Sequence, residues 1–492
     1  MTTVSPPPST ARQVLRGSVI MVGARWAVRL IGLVSTLILA RLLTPADFGV
    51  VAIAMLVIGF IEAVAERGQS LALIRLREPC RAHFDTAWTL QILVGLVLSA
   101  VIALSAPAVA AVLDDARLMP VILVLSLRSL INGFINVGMA TNRITLRFER
   151  DFLFLCSQKL VSFVVCVGLA VALRSYWALA AAMVADRVAA VLLSYAWHPY
   201  RPRWSLARLA EIWPFSAWML AADLGDFLAR QADAMAIAVT APGTELLGHY
   251  RVAGDVATMP TYALSLPVAY ASFPVYARLN PEALRQASLQ GLAVMLALAV
   301  PAGVGVACVA DDAVAVVLGA QWTAAAPYVQ WLALAGILMA LRINVTTVVT
   351  VSGRSRLAAL LGWADVVVLG CGLALVLSSG DAVHIAQMRL AVLGAMMPGT
   401  LAAYRAATGA GWSEIAATLW RPVTATALMA GAVTAVHGVA VDGAAVRLAT
   451  DMVTGIITYG VATALLWDLA GRPAGLESGV LQRLRLGKEG IR

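Results

Sequence analysis

The sequence predicts an all-α polytopic membrane protein of about fourteen transmembrane helices, in two six-helix lobes with two further helices at the C-terminus. Three observations carry that prediction. The 492-residue chain is 61% hydrophobic and 13% charged, against about 25% charged residues in a soluble domain, and its mean hydropathy is +0.85. Its apolar residues fall into runs of about 20, the length that crosses a hydrocarbon core at 1.5 Å per helical residue. Its basic residues collect in alternate connections between those runs, as the positive-inside rule requires.

The first run, 17–43, follows the polar, Pro-rich and basic "MTTVSPPPSTARQVLRG" and lacks a small-residue cleavage site, so it reads as a retained span rather than a removed signal peptide. With the N-terminus cytoplasmic, Arg12 and Arg16 precede it. Span two (46–65) leads to Arg67, Arg75, Arg77 and Arg81, and spans three (87–113) and four (118–141) to Arg143, Arg147 and Arg150. Spans five (152–173) and six (176–197) return to Arg201, Arg203 and Arg208. Spans seven (213–239) and eight (247–276) lead to Arg278 and Arg285, and nine (286–310) and ten (326–350) to Arg354 and Arg356. Eleven (357–378) and twelve (383–404) lead to Arg405 and Arg421. Thirteen (420–437) and fourteen (447–467) end at Arg472, Arg483, Arg485, Lys488 and Arg492.

The opposite loops hold only Arg41, Arg117, Arg174 and Arg447, beside acids such as Asp114, Asp115, Asp311 and Asp312. Of the 36 basic residues, 23 therefore lie on one side and 4 on the other, which places both termini in the cytoplasm. The net charge of +9 reflects this topology and implies no nucleic-acid partner. The expected organisation is a tail at 1–16, an N-lobe at 17–197, an inter-lobe linker at 198–212, a C-lobe at 213–404, spans thirteen and fourteen within 405–469, and a tail at 470–492.

Several chemistries are excluded. The chain has no P-loop, no HExxH and no cysteine–histidine cluster, and no connection has the size of a catalytic domain. Cys80, Cys156, Cys166, Cys308 and Cys371 are odd in number and mostly within apolar runs, so no disulfide framework is expected. Neither an enzyme nor a metal or cofactor is expected. The GxG at Gly303 and Gly305 lies inside a span, where small residues serve helix packing.

Nine basic residues remain inside or at the edges of spans: Arg25, Arg29, Arg128, Lys159, Arg187, Arg230, Arg251, Arg342 and Arg389. The acids there are Glu62, Asp186, Asp223, Asp226, Asp233, Asp255, Asp365 and Asp451. A charge at mid-bilayer costs about 2.5–3.5 kcal/mol on insertion scales and marks a substrate or ion path by default. Lys159, Glu62 and Asp451, nearer span ends, read as snorkelling or structural pairs, and Asp186–Arg187 as a candidate interhelical tie. Arg25 and Arg29 share one face of span one. Asp223, Asp226, Arg230 and Asp233 step by three, four and three, which lays them along one stripe of span seven. Such a stripe reads as facing a hydrated cavity.

A weak internal repeat is also present. "RLLTPADFGVVAIAM" leaves span one and "AVTAPGTELLGHYRVAGDV" leaves span seven, each with a Pro-containing loop, an acid and a Gly (Gly49, Gly248) opening the next span. Span four ends in "ATNRITLR" and span ten in "VSGRSRLA". Two six-span halves with two spans appended account for both, an architecture that places transporter substrates between halves near mid-membrane.

"LILARLLTPADFGVVAIAMLVIGFI" (37–61) resembles the first hairpin of bacterial polysaccharide flippases of the Wzx type. "LGAQWTAAAPYVQWLALAGILMAL" (318–341) resembles their segment entering span ten, with Gly319, Trp322, Pro327 and Leu332 in pattern. "PYRPRWSLARLAEIWPFSAW" and "LGHYRVAGDVATMP" match as well. The resemblance implies the multidrug/oligosaccharidyl-lipid/polysaccharide exporter fold, two lobes around a cavity that opens alternately to each side. It implies a multi-pass protein of the bacterial inner membrane, acting as a monomer beside the polymerase and chain-length machinery of a pathway making exopolysaccharide, O-antigen or capsule. The cargo implied is an oligosaccharide on undecaprenyl diphosphate.

In the similar lipid II flippases, arginines on spans one and eight line the cavity, and Arg25 and Arg251 match those places. The Arg–Asp pair of that family's span one is absent, since Ala24 and Trp26 flank Arg25. Arginine suits the cargo chemically, because its donor fork and fixed charge meet phosphate oxygens. Arg25, Arg29 and Arg230 are the expected diphosphate contacts, with Arg128, Arg187, Arg251 and Arg342 as further ones. Asp223, Asp226, Asp233 and Asp255 are expected to balance those charges or couple to an ion. The alternatives are a cation-coupled multidrug antiporter, which would favour an acidic, aromatic cavity, and a membrane polymerase or ligase, which would need a sizeable external loop.

Overall fold

The computed structural model describes residues 8–63, 80–139, 141, 148–240, 244–377, 381–438 and 443–471. Among them the regular structure is helical. The long helices are α1 (Pro8–Leu42), α2 (Pro45–Ala63), α3 (Arg81–Val112), α4 (Leu118–Gly133), α5 (Phe148–Leu173), α6 (Trp177–Trp197) and α7 (Leu209–Thr240). They continue with α8 (Glu245–Tyr276), α9 (Pro281–Cys308), α10 (Ala326–Val351), α11 (Ser355–Val376), α12 (Ala382–Thr408), α13 (Trp412–His437) and α14 (Ala444–Leu469). Each predicted span overlaps one of these. Ten helices among the described residues are long and apolar enough to cross a membrane, fewer than the fourteen crossings predicted, and α4 is a shorter apolar helix.

The helices begin and end where local chemistry says they should. Ahead of α2 the Thr44 hydroxyl accepts the Asp47 amide (3.3 Å) and the Asp47 carboxylate accepts the Thr44 amide (3.0 Å), a reciprocal cap with proline at the first helical position. Asn280 caps α9 through the Ala283 amide, and Asp381 caps α12 through the Val383 amide. Gly409, at φ 74°, ends α12 in the left-handed region. Predicted span four is shorter than expected, because α4 stops at Gly133. There Asn136 turns its side chain onto the Gly138 amide and the Tyr200 carbonyl, while its own amide goes to Ser194. A short-range Asn bond of this kind competes with the helix.

The side-chain distribution is that of a protein in lipid. Large apolar residues stand exposed along the helices, among them Leu104, Val112, Leu375 and, on α14, Met452, Ile456, Ile457 and Leu465. An apolar surface that extensive is unfavourable in water, so the chain is a multi-pass membrane protein.

The described chain divides into two compact units: residues up to Val252 together with 373–380, and residues 253–372 with 381 onward. In the first, α3 pairs with α4, α5 with α6, α1 with α5, and α2 with both α4 and α7. A cluster of Leu39, Leu43, Cys166, Ala170, Ala178 and Ala182 seals α1 against α5 and α6. In the second, α10 pairs with α9 and α12, and α13 with α14 and α9. Its core holds Leu292, Val345, Val348 and Tyr404, with Ser288 hydrogen-bonded to the Tyr404 hydroxyl (2.8 Å).

Two features give physical content to segments noted in the sequence. Gly49 of α2 and Gly248 of α8 meet reciprocally: a β-carbon on Gly49 would collide with the Thr244 carbonyl, and one on Gly248 with the Pro45 carbonyl. Proline–glycine and threonine–glycine, each four apart, thus face each other as counterparts in the repeat. The second is the segment 198–208, which lies along the start of α3. The Asp85 carboxylate accepts the Tyr200 hydroxyl and the Arg203 amide, Thr89 accepts the Ser205 amide, and Thr86 accepts the Arg208 amide. Trp204 packs edge-on against Trp88 at 5.3 Å between ring centres.

Candidate functional site

The charges inside the helices organise the site. On α1, Arg25 and Arg29 occupy positions one turn apart. Arg29 is half-buried, whereas the Arg25 side chain lies outside the described residues. A separate polar chain runs through the first unit. Arg128 of α4 pairs with Glu62 of α2 at 3.4 Å, and the adjacent Ser129 donates to the same carboxylate at 2.7 Å. One turn on, Asn132 accepts from Arg187 of α6 (3.1 Å) through its side chain and from Gln91 of α3 (2.8 Å) through its carbonyl. Arg187 also pairs with Asp186 (3.4 Å), which accepts from Gln158 of α5 (2.9 Å). Arg128 and Arg187 thus tie α2, α4 and α6 together, and Gln91 and Gln158 extend the chain to α3 and α5.

The predicted stripe on α7 divides. Asp233 is buried and accepts the Tyr250 hydroxyl of α8 at 2.8 Å, while Arg230 is exposed. The side chains of Asp223 and Asp226 lie outside the described residues. Arg251 is exposed and donates to Gln231 at 3.2 Å, and Asp255, four residues on and in the second unit, is exposed as well. In the second unit Arg342 of α10 pairs with the buried Asp365 of α11 at 2.7 Å and donates to the Leu361 carbonyl at 3.1 Å.

Sequence reasoning missed the neutral partners: Tyr250, Asn132, Gln158 and Ser129. Each is a polar residue within an apolar run, and that was the only signal available. It also missed a second ion network. Asp312, after α9, accepts from Arg447 of α14 through both oxygens (2.7 and 3.1 Å), and His437 of α13 lies 2.7 Å from the buried Asp451. Arg447 holds the Asp312 carboxyl below the usual carboxylate range and supplies the cluster's counter-charge from the chain itself.

The described residues define a polytopic helical membrane protein that carries arginines and carboxylates within its helices. The comparisons agree. A family profile described as "Polysaccharide biosynthesis protein" matches residues 38–327, and the chain belongs to that family. It is 26% identical over 332 residues to the lipopolysaccharide biosynthesis protein WzxC of Escherichia coli, covering 64% of this chain and 66% of that one. It is 27% identical over 310 residues to the succinoglycan biosynthesis transport protein ExoT of Rhizobium meliloti, covering 60% and 61%. The matches thus span just under two thirds of these two relatives. With the teichuronic acid biosynthesis protein TuaB of Bacillus subtilis it shares 26% identity over 376 residues, 72% of this chain and 76% of that one.

Among solved structures, the lipid II flippase MurJ in an inward closed conformation has a TM-score of 0.74 at 11% identity, covering 91% of this chain and 98% of that one. An inward-facing multidrug resistance transporter of the MATE family gives 0.57 at 15% identity, covering 78% and 96%. These likenesses establish the fold. By name these relatives are biosynthesis, transport and flippase proteins.

Proposed function

We propose that the protein is a flippase. Its cargo is an undecaprenyl-diphosphate-linked oligosaccharide, moved from the cytoplasmic to the periplasmic leaflet of the bacterial inner membrane for a surface polysaccharide. The observation that carries the reading is a pair of arginines midway along α1, in a chain whose family makes polysaccharides. A diphosphate is costly to bring into lipid unless cations meet it, and arginine meets phosphate with charge and a donor fork together.

Arg25, Arg29 and Arg230 are the principal contacts in this scheme, with Arg251 a further one. Arg128, Arg187 and Arg342 hold carboxylate partners and present their charge to substrate only as part of those pairs. Asp223, Asp226, Asp233 and Asp255 balance the cations when cargo is absent. Transport proceeds by alternating access between two lobes, 17–197 and 213–404, with both termini cytoplasmic and the protein monomeric.

The experiment is leaflet exchange of a labelled undecaprenyl-diphosphate oligosaccharide in proteoliposomes. Exchange that requires the protein and falls to background in Arg25→Ala/Arg29→Ala supports the proposal. Wild-type exchange in that double variant, correctly inserted, sinks it. No exchange by the wild type, together with extrusion of cationic drugs under an ion gradient, would establish the antiporter instead.

A further inference from the structure

The segment 198–208 covers one side of α3, and the hydrogen bonds that hold it show which side. Thr86 accepts the Arg208 amide and Thr89 the Ser205 amide. Thr86 and Thr89 stand seven residues before Leu93 and Leu96, two helical turns that return to the same face. Leu93, Leu96, Val97 and Leu104 are exposed apolar side chains of that face, so it is the face α3 turns to lipid. The segment therefore lies on the lipid-facing side of α3, roughly 10 Å nearer the helix N-terminus than the first exposed leucines. The headgroup region is about 5–8 Å thick in each leaflet, so that distance carries the segment out of hydrocarbon and into it.

Beneath the segment α3 is buried at every position from His83 to Leu90, so the outer surface of 198–208 is what the bilayer meets at this height. Trp204 is 64% exposed although one edge packs on Trp88, and Leu206 is 47% exposed. Arg201 and Arg203 are exposed beside them. Neither guanidinium is paired with a carboxylate among the described residues. Arg201 donates to the carbonyls of Tyr195, His198 and Tyr200, and Arg203 is held through its backbone amide, on Asp85. Asp85 also accepts the Tyr200 hydroxyl and lies 3.7 Å from Arg81. The local field is positive: burial first, and then the charges of Arg150 and Arg201, hold the His198 imidazole below its ordinary range.

An exposed indole beside cations at headgroup depth suits an interface, the ring at the acyl boundary and the cations on lipid phosphate. We propose that the outer face of 198–208 is a docking surface for anionic phospholipid, with Arg201 and Arg203 on the headgroup phosphate and Trp204 and Leu206 at the acyl boundary. Charge complementarity selects an anionic lipid over a zwitterionic one, whose own cation answers its phosphate. The bonds to Asp85, Thr86 and Thr89 hold the backbone in place beforehand, so little order is lost on binding. The surface is distinct from the intramembrane arginines, and it stands whether or not the protein is a flippase.

The test uses the full-length protein in phosphatidylcholine nanodiscs doped with phosphatidylglycerol that carries bromine on the acyl carbons next to the headgroup. The reporter is the emission of Trp204, taken as the difference between wild type and Trp204→Phe. Brominated phosphatidylglycerol should half-quench it at a mole fraction about fivefold lower than brominated phosphatidylcholine does. Arg203→Gln, which leaves the backbone amide on Asp85, should raise that mole fraction about fivefold, and Arg203→Lys should stay within about twofold of wild type. No quenching by either lipid would show that the segment faces water and would overturn the assignment. Equal quenching by the two lipids, or an Arg203→Gln variant like wild type, would remove the anionic preference and overturn it as well. So would reversal of the quenching by glycerol 3-phosphate in the buffer, which would assign the arginines to a soluble phosphate.

Discussion

At the scale of single residues, an intramembrane charge is defined by its partner. Arg342 and Arg29 read alike in the sequence, each a cation inside an apolar run. Arg342 turns out to be held by the buried Asp365, whose carboxylate comes from another helix. Removing one member of such a pair strands the other, at about 3–5 kcal/mol. Arg342→Met should therefore lower the thermal midpoint in detergent by several degrees, and Arg342→Met/Asp365→Leu should recover most of it. Equal midpoints for the single variant and wild type would refute the pairing. Asp115 offers a pH test outside the spans. Its hydrogen bond with Arg117 holds its carboxyl below the usual value of 3.8. The pair's contribution is thus complete above the ordinary carboxylate range and disappears as the pH falls through the lowered value. Arg117→Ala should flatten the acid limb of the stability profile below about pH 4 and leave its shape near neutrality unchanged.

At the scale of elements, the chain's apolar runs announced their helices, and the motifs between them announced turns without saying why. "LGAQW" is now explained: Gly319 sits at φ 111°, where a β-carbon is strained, and Trp322 is fully buried with its amide on the Gly319 carbonyl. The segment 198–208 read only as a basic linker. Its role as a strap depends on Asp85, Thr86 and Thr89, which lie more than a hundred residues away in sequence and offer acceptors in a row along α3. Asp85→Ala removes two of those bonds, about 1–3 kcal/mol of local stability. Trypsin should then cut after Arg203 and Arg208 markedly faster than in wild type. Unchanged cleavage would mean that the strap is held by its tryptophans instead.

For the whole molecule, the weak repeat between the segments that open α2 and α8 becomes a physical contact. The reciprocal approach of Gly49 and Gly248 leaves no room for a side chain. Gly248→Ala must push two backbones apart, at about 1–3 kcal/mol, and Gly49→Ala should do the same by the same amount. A thermal shift in neither variant would show that the helices separate freely. The unit boundary at Val252 falls inside α8, and α7 packs against α2, so the compact units do not follow the connection at 198–212.

The sequence by itself determined the solvent, the helical class and the family, because hydropathy, charge asymmetry and turn motifs are local properties that a reader can sum along the chain. It also named every intramembrane charge. Only the tertiary structure decided which of those charges are neutralised. Glu62, Asp186 and Asp365 reach their arginines across helix faces or from neighbouring positions whose side-chain directions no spacing rule supplies. Lys159 shows the same limit from the other side: it read as a snorkelling residue near a span end, and only the packing of α1 against α5 sets its Cε 4.0 Å from where a β-carbon on Gly32 would stand.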